Sequence, residues 1–405
     1  MVKNILIFLI LISSAFFFNT KLLPIRVIHL IQVAAIGIMV VIIIAHNIYG
    51  RSETIKHNFK YPVFLIFTGV FLSMIIAQAY HNQNYGLTFW AQRFMYFYIL
   101  YFFLHVLKPE IKDLEKILLT LGILYAVSYL LQYAIYPLAI FDVRLDADRG
   151  TIRIFMPGAA FFALSLFICL QRFYLENKLR YIFLALLFVT IVILMGTRNF
   201  MAAIAVTIIF SLLFSKTIKS RYVIYFIILI SFIPVFILFQ EIFAGLIDLS
   251  TKETANIHSD IRVRAAKFFL TDFFPNKLAY FFGNGHEHGQ SMYGVRVATY
   301  MKYRSFYQSD VGLIGEFSKY GLFFVIGALW LLFRGFTSRL KPEQTYIKYH
   351  FLRVALVLPF GSNFTEPSSI AVLCTLIYII DKNNYDLTEE STDPEISPPV
   401  ISPGQ

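Results

Sequence analysis

Long apolar runs recur along most of this chain, and no other feature restricts its fold as strongly. A hydrocarbon core of about 30 Å needs about 20 apolar residues per helix, and runs approaching that length continue to about residue 380. Hydrophobic residues make up 58 % of the chain and charged residues only 15 %, whereas a soluble domain has about 25 % charged residues. Because unpaired backbone groups are too costly in lipid, the sequence predicts an all-α, polytopic membrane protein.

The predicted organisation is a transmembrane domain over residues 1–380 with about twelve spans, followed by a tail over 381–405. A long polar stretch, 248–307, separates predicted spans nine and ten. The tail is acidic and rich in proline and serine, a composition typical of disorder. The predicted spans are 4–19, 25–45, 61–79, 92–107, 114–140, 154–171, 180–195, 200–214, 222–247, 308–333, 347–361 and 367–380.

The net charge of +11 is spread over loops that flank hydrophobic segments, which indicates membrane orientation rather than nucleic-acid binding. Lysine and arginine are concentrated in alternate short loops, so both termini are predicted to face the cytoplasm and the stretch 248–307 to face outward. Cations on the outward side are therefore informative, because arginine near a bilayer is costly and marks a functional site by default. These cations are Lys21, Arg26, Arg93, Arg144, Arg149, Arg153 and Arg198.

Arg198 lies in the turn GTRNF between two apolar runs of about fifteen residues each. At about 1.5 Å per residue, helices of that length fall short of a hydrocarbon core of about 30 Å. The turn is therefore predicted to be recessed below the outer surface, with Arg198 either in a functional site or snorkelling as an interfacial anchor.

Arg149 and Arg153 precede predicted span six in DRGTIRIFMPG. If the segment is helical, their spacing of four places both on one face, where paired guanidinium groups suit a phosphate. The alternative is local pairing with a neighbouring aspartate. Arg93 lies among aromatic residues at the outer end of span four, either as part of an aromatic belt or as a ligand-binding group.

Within the outer stretch, DIRVRAAKFFLTDFF has apolar residues at helical spacing and predicts an amphipathic helix at the membrane surface. Its Arg262 and Arg264 either hold lipid headgroups or lie over a cavity mouth. His286 and His288 form an H-x-H pair with no third ligand in view, so a polar turn is favoured over a metal site. The two cysteines lie in apolar runs, which implies neither a disulfide framework nor a cysteine metal site.

The next span begins with SDVGLIGEFSKYGL. Asp310 is predicted either to cap this helix or to orient or deprotonate an acceptor hydroxyl at a cavity rim. Glu316 and Lys319 are three residues apart, which favours pairing within the helix.

The order of these features resembles the O-antigen polymerase/ligase family of bacterial envelope enzymes. The similar elements are the GTRNF turn with Arg198, the S-D-I-R element at 259–262, the F-G-N-G element at 282–285, and the span that begins at Ser309. The resemblance covers about residues 60–380 in topology. It implies a polytopic, C-type glycosyltransferase fold in the inner membrane, with the active site on the outer face.

The resemblance also implies a metal-independent glycosyltransferase without a cofactor. Its donor is a glycan on undecaprenyl pyrophosphate, and outer-face arginines bind the pyrophosphate. Membrane lipid and a chain-length regulator are further partners that the resemblance suggests, and nucleic acid is not expected. The expected catalytic residues are Arg198, Arg262 and Asp310, and the expected substrate-binding residues are Arg153, Arg149, Arg264 and Arg93.

Three activities remain open at this point. A repeat-unit polymerase is favoured because ligases of the family usually carry a His-Asn pair where this chain has Gln308-Ser309-Asp310. A ligase that transfers glycan to lipid A core or protein is the second. A lipid-linked glycan flippase is the third, although transporters tend to bind substrate near the midplane between repeats and no repeat is visible here.

Overall fold

The computed structural model describes residues 2–49, 55–146, 152–214, 260–361 and 363–392. Of these residues, 78 % are helical, which confirms the all-α prediction. The helices are α1 Val2–Ser14, α2 Ile25–Tyr49, α3 Lys60–His81, α4 Tyr85–Ala91, α5 Leu100–Leu107, α6 Ile111–Ala134, α7 Ala159–Glu176, α8 Leu179–Leu194, α9 Arg198–Phe214, α10 Ile261–Leu270, α11 Leu278–Phe282, α12 Met292–Arg304, α13 Gly312–Thr337, α14 Tyr346–Val357 and α15 Pro367–Thr392.

Five helical segments in the described part of the chain are long and apolar enough to cross a membrane. They are Ile25–Ile48, Lys60–His81, Ile111–Ala134, Ala159–Glu176 and Gln308–Thr337. Shorter apolar helices accompany them at Val2–Ser14, Arg93–Leu107, Leu179–Leu194 and Arg198–Phe214. The described chain is therefore mostly helical and has several helices of the kind that cross a membrane. The number of twelve spans stays a prediction, and predicted span 222–247 lies outside the described residues.

Several predicted boundaries differ from the structure, and two of these differences change the kind of element. Predicted span 92–107 is a 3-10 helix, Arg93–Ile99, that continues into α5. The tail predicted from Asp381 is helical to Thr392, because α15 continues through it. Asp381 is buried there and accepts hydrogen bonds from the Tyr101 hydroxyl (2.6 Å) and from the Asn58 backbone N–H (3.1 Å). These tertiary contacts override the disorder that composition favours, and residues 393–405 lie outside the description.

Glycines allow the backbones of α3 and α13 to approach closely. A Cβ on Gly69 would lie 2.7 Å from the Phe324 backbone nitrogen, and one on Gly327 would lie 2.7 Å from the Pro62 carbonyl oxygen. Small residues allow helix backbones to approach in a membrane, where van der Waals packing replaces the hydrophobic effect between helices. This contact fixes α13 against α3 and so positions the polar groups near the start of α13.

The segment 260–311 forms a small unit with an apolar cluster of its own. We call it the outer unit, because the charge distribution predicts that it faces outward. Helix α10 has the predicted amphipathic pattern, with Ala265, Phe268 and Phe269 buried. Its apolar face packs against the unit's own side chains rather than lying on lipid as predicted, and Ile261 is exposed. The protein side chains that cover this face include Tyr293, Val297, Phe306 and Val311.

The segment around Arg153 is not the helix that the spacing with Arg149 suggested. Strand β1, Arg144–Asp146, pairs antiparallel with β2, Arg153–Phe155. Pairing between the two strands takes the place of the helical hydrogen bonds that the spacing suggested. Helix α7 begins only after this hairpin, and Arg149 lies outside the described residues.

Candidate functional site

The F-G-N-G element contacts the SDVGLIGEFSKYGL segment at one end of the bundle. At this end α3 ends, and α9, α13 and α15 begin. We call this the outer end, following the charge distribution. Helix α13 is kinked at Gly321 (φ 73°, ψ −169°), and Gly283 of the F-G-N-G element has a similar conformation (φ 77°, ψ 168°). A Cβ on Gly283 would lie 2.3 Å from the Lys319 carbonyl oxygen. The two backbones therefore meet where only glycine fits.

Hydrogen bonds lock the F-G-N-G element onto α13. The backbone N–H groups of Asn284 and Gly285 donate to the carbonyl oxygens of Ser318 (3.1 Å) and Lys319 (2.8 Å). The Asn284 side-chain amide also donates to Ser318 O (3.0 Å), and its carbonyl oxygen lies 3.0 Å from His81 Nε2 at the end of α3. Asn284 is fully buried, so these bonds tie the outer unit to both helices.

These hydrogen bonds bring Glu287 and His286 close to Lys319, and the three side chains form a polar cluster. Lys319 Nζ lies 3.5 Å from Glu287 Oε1, and His286 Nδ1 lies 3.6 Å from Glu287 Oε2. The predicted pairing of Lys319 with Glu316 is therefore wrong, because Lys319 reaches across to the outer unit. A cavity of about 60 Å³ lies between His286, Lys319, Tyr320 and Thr365, among others. It has room for ordered water and for small movements of the lysine.

Glu316 supports a different segment, the turn 358–366 that joins α14 to α15. Its Oε1 atom accepts hydrogen bonds from the Phe364 backbone N–H (3.3 Å) and the Thr365 hydroxyl (3.2 Å). Its Oε2 atom is buried and has no hydrogen-bond partner in the described structure. Glu316 thus fixes the turn beside the start of α13.

We call the segment 282–288, which is held on α13, the docked turn. Its contact with α13 should weaken in acid. Burial, with the nearby Lys319 charge, lowers the pKa of His286 to about 4, below the usual value of about 6.5. Burial opposes ionisation of Glu287, but Lys319 and His286 outweigh it and lower the pKa of that carboxyl. Between about pH 6.5 and 4 the undocked turn binds a proton at His286 that the docked turn does not, so docking weakens as pH falls. Glu287 adds a further loss as pH falls from the ordinary carboxyl value of about 4.5 through its own depressed pKa.

Hydrogen exchange of the Asn284 and Gly285 amides, corrected for intrinsic rates, measures this effect. Protection is expected to fall between pH 7 and 5, and His286→Asn should remove that dependence. His288→Asn is the matched control, since His288 does not line the small cavity. Equal protection at both pH values in the wild type would contradict the prediction.

Arg353 on α14 is the residue that sequence reasoning missed. Its side chain is almost fully buried, with 3 % of the residue exposed. One guanidinium nitrogen donates to Asn363 Oδ1 at 3.4 Å, and Nε is buried with no hydrogen-bond partner in the described structure. An arginine inside predicted span 347–361 was a signal in the sequence, because intramembrane arginines are functional candidates by default.

The carboxylate whose charge acts on Arg353 is that of Glu366, but its oxygens are engaged elsewhere. They accept from the Ser368 hydroxyl (2.6 and 2.7 Å) and from the Ser369 backbone N–H (2.6 Å), which caps the start of α15. Within the described residues no carboxylate oxygen lies within 4.0 Å of the Arg353 guanidinium. Its positive charge is therefore incompletely compensated.

Arg198 begins α9, which packs against the helix that carries Arg353. The Arg353 guanidinium lies 5.9 Å from the ring centroid of Phe200, two residues after Arg198. Arg198 is half-buried. An arginine at a helix N-terminus adds positive charge where the macrodipole is already positive. Helix α8 has 16 residues, in agreement with the short helix predicted before the GTRNF turn, and α9 is described over 17 residues, up to Phe214.

Arg153 and Arg93 contact other side chains, and the charge of Arg93 also acts on His286 of the polar cluster. The charge of Arg153 acts on Tyr129 of α6, and its guanidinium lies 4.7 Å from the Phe155 ring centroid. Arg93 lies 3.2 Å from His29 Nε2 and donates to the Trp90 carbonyl oxygen (3.0 Å). These contacts fit the aromatic surroundings predicted for Arg93.

Arg262, Arg264 and Asp310 belong to the outer unit. Arg262 is exposed in the first turn of α10, where its backbone N–H donates to Asp260 Oδ1 (2.6 Å). The Arg264 guanidinium lies 5.9 Å from the Phe306 ring centroid. Asp310 is exposed in a 3-10 helix that packs on α10, and neither it nor its neighbour Ser309 caps α13 with a side-chain bond. The unit thus carries these three groups on elements that pack around its own apolar cluster.

Comparison of the chain with models of protein families and with curated proteins finds no match. The family resemblance therefore depends on the motifs themselves, two of which the structure brings into contact through Gly283 and Gly321.

Proposed function

We propose that this protein is a metal-independent glycosyltransferase that polymerises undecaprenyl-pyrophosphate-linked oligosaccharide units for O-antigen, capsule or exopolysaccharide. It acts in the bacterial inner membrane, with both termini cytoplasmic and the site on the outer face. The observation that carries this proposal is the buried guanidinium of Arg353, which has no ion-pair partner among the described residues and lies beside the helix that Arg198 begins.

A buried cation without a counter-ion is costly, by several kcal/mol per charge. An anionic ligand between Arg353 and the N-terminus of α9 offsets that cost, and a pyrophosphate matches the paired donors of guanidinium groups. As the acceptor hydroxyl oxygen bonds to the anomeric carbon, the bond from that carbon to the pyrophosphate oxygen breaks. Fixed guanidinium groups then neutralise the charge that develops on the leaving group.

The outer unit supplies the other expected roles. Arg262 and Arg264 approach the glycan or the lipid headgroup from α10, and Asp310 orients or deprotonates the acceptor hydroxyl. The F-G-N-G element holds this unit on α13 through hydrogen bonds with Ser318 and Lys319. The unit acts in this proposal as a cover, while the pyrophosphate is held below it by Arg198, Arg353 and Arg153.

Surface glycan from a strain that lacks the gene tests the proposal. Complementation with the wild type should restore a ladder of repeat lengths, and Arg198→Ala should leave single repeat units. Lipid-linked polymer without surface glycan would assign a ligase instead. Repeats trapped on the cytoplasmic leaflet would assign a flippase, which the collection of charged groups at one end disfavours. A normal ladder from Arg198→Ala would remove this residue from the mechanism.

A further inference from the structure

The side chain of His286 lies in the docked turn and has no role in the proposed function. Its ring lines the cavity of about 60 Å³ between this turn and α13, together with Lys319 and Thr365. A water molecule needs about 10–15 Å³ of such space, so a hydroxyl group also fits. An unused imidazole beside this space is a candidate for proton transfer, because histidine is the side chain that most often serves as general acid or base.

The contacts of the ring fix which of its nitrogen atoms carries the proton. His286 Nδ1 lies 3.0 Å from the Glu287 backbone carbonyl oxygen and 3.6 Å from Glu287 Oε2. A carbonyl oxygen and an ionised carboxylate only accept hydrogen bonds, so Nδ1 carries the N–H. Nε2 then has a free lone pair, and within the described residues it makes no hydrogen bond. This is the tautomer in which Nε2 serves as a base.

The ring is neutral at physiological pH. Burial, the Lys319 charge and, more weakly, the Arg93 charge lower the pKa of His286 to about 4, and Glu287 offsets them only in part. An anionic donor bound beside the turn 358–366 would offset the two cations and raise this pKa toward the ordinary value of about 6.5. The lone pair is thus free before the reaction, and the donor strengthens the base.

The cavity lies next to the proposed pyrophosphate site. Thr365, which lines the cavity, is two residues after Asn363, whose Oδ1 accepts from the Arg353 guanidinium (3.4 Å). Because consecutive Cα atoms are about 3.8 Å apart, the Cα atoms of Asn363 and Thr365 lie within about 7.6 Å of each other. An acceptor hydroxyl in the cavity would therefore be close to a donor held by Arg353.

Neighbouring groups hold the ring and stabilise the cation that it would form. Glu287 Oε2 is buried without a hydrogen-bond partner in the described structure, and it lies on the Nδ1 side of the ring. Lys319 Nζ lies 3.5 Å from the other oxygen of this carboxylate. The Gln83 amide holds the turn, since it donates to the His286 carbonyl oxygen (2.7 Å) and accepts from the His288 backbone N–H (2.9 Å). A base and a group that orients it are thus present together.

We propose that His286 is the general base of the transfer, a role that rests on the proposed function. As the acceptor oxygen bonds to the anomeric carbon, its O–H bond breaks and the proton moves to His286 Nε2. The bond from the anomeric carbon to the pyrophosphate oxygen breaks in the same step, and the pyrophosphate leaves with that electron pair. The imidazolium then returns its proton to water or to the leaving group. Asp310 keeps the role of orienting the acceptor hydroxyl.

Polymerisation by the purified full chain in lipid nanodiscs tests this role, with lipid-linked repeat units extracted from the strain that lacks the gene as substrate. His286→Asn places an amide N–H near the position of Nδ1 and removes Nε2, so it should keep the turn docked and lower the rate about 100-fold. His286→Ala should be equally slow, and free imidazole should restore part of its rate. His288→Asn is the matched control and should keep the wild-type rate, because His288 does not line the cavity.

Hydrogen exchange of the Asn284 and Gly285 amides near neutral pH reports docking in each variant. For His286→Asn we expect protection equal to the wild type with the rate lost. A wild-type rate in His286→Asn would overturn the role of His286. So would a lost rate with equally lost protection and no rescue by imidazole, which would make the ring structural. Polymer from neither the wild type nor any variant would instead contradict the proposed function, and this role with it.

Discussion

Arg353→Gln is expected to abolish the polymer ladder while leaving the protein folded. Loss of one preorganised group that stabilises transition-state charge costs on the order of 10²–10³ in rate. Here the guanidinium is buried beside Phe200, so water cannot replace it efficiently. The measurement is polymer length and amount from the complemented deletion strain, with expression of each variant matched.

The stability of Arg353→Gln separates a ligand-binding role from a structural one. A buried charge with no ion-pair partner in the described structure destabilises the ligand-free fold, so a neutral glutamine that still reaches Asn363 should unfold at the same or a higher temperature. Arg353→Lys keeps the charge but not the two-pronged donor geometry, and should retain only part of the activity. A lower unfolding temperature together with a normal ladder would show that Arg353 is structural.

Arg339→Gln is the matched control for this series. Arg339 is exposed in the connection after α13, at the opposite end of the bundle. Its loss should change neither the ladder nor the unfolding temperature, because exposed charges contribute little to stability.

Gly283→Ala and Gly321→Ala are expected to release the outer unit from α13 and to stop polymer formation. Both glycines have a backbone conformation that is essentially restricted to glycine, which alone costs about 1–3 kcal/mol for another residue. A Cβ on Gly321 would also lie 2.4 Å from the Gly283 nitrogen, and neither backbone can move without breaking the Asn284 and Gly285 hydrogen bonds. The loss of stability of this contact should therefore exceed the cost of the backbone conformation alone.

Limited proteolysis of the segment 278–304 measures the release, together with the glycan ladder. Gly289→Ala is the control in the same loop, because a Cβ there would meet no atom within 4 Å. It should behave as the wild type. Protease resistance equal to the wild type in Gly283→Ala would show that the element is not held by this contact.

Much of the architecture follows from local sequence properties. Apolar runs with few charges specify helices, because every backbone group must be satisfied within the segment in lipid. The short helix before the GTRNF turn, and the helical period of α10, are visible in the sequence as well. The strand at Arg153 was not visible in the sequence. A three-residue strand depends on pairing with another strand, and the segment itself does not reveal that partner.

The candidate site was only partly visible. Arg153 and Arg198 stand out as cations on the outward side of apolar runs. Arg353 is visible as an arginine within an apolar run, but only the structure shows that its charge is incompletely compensated, because Glu366 caps α15 instead. Lys319 has a carboxylate at helical spacing in the sequence, yet it contacts Glu287 from the outer unit.

The sequence by itself determined that this chain is mostly helical, with apolar segments long enough to cross a membrane and a long polar segment between two of them, because hydrophobic length acts on each segment independently. Only the tertiary structure decided which charged groups lack partners, and where the outer segment docks. Those properties depend on close approach between residues far apart in the chain, such as Gly283 and Gly321 or Arg353 and Phe200. The recurring apolar runs specify the helices, and the few polar contacts between those helices specify the site.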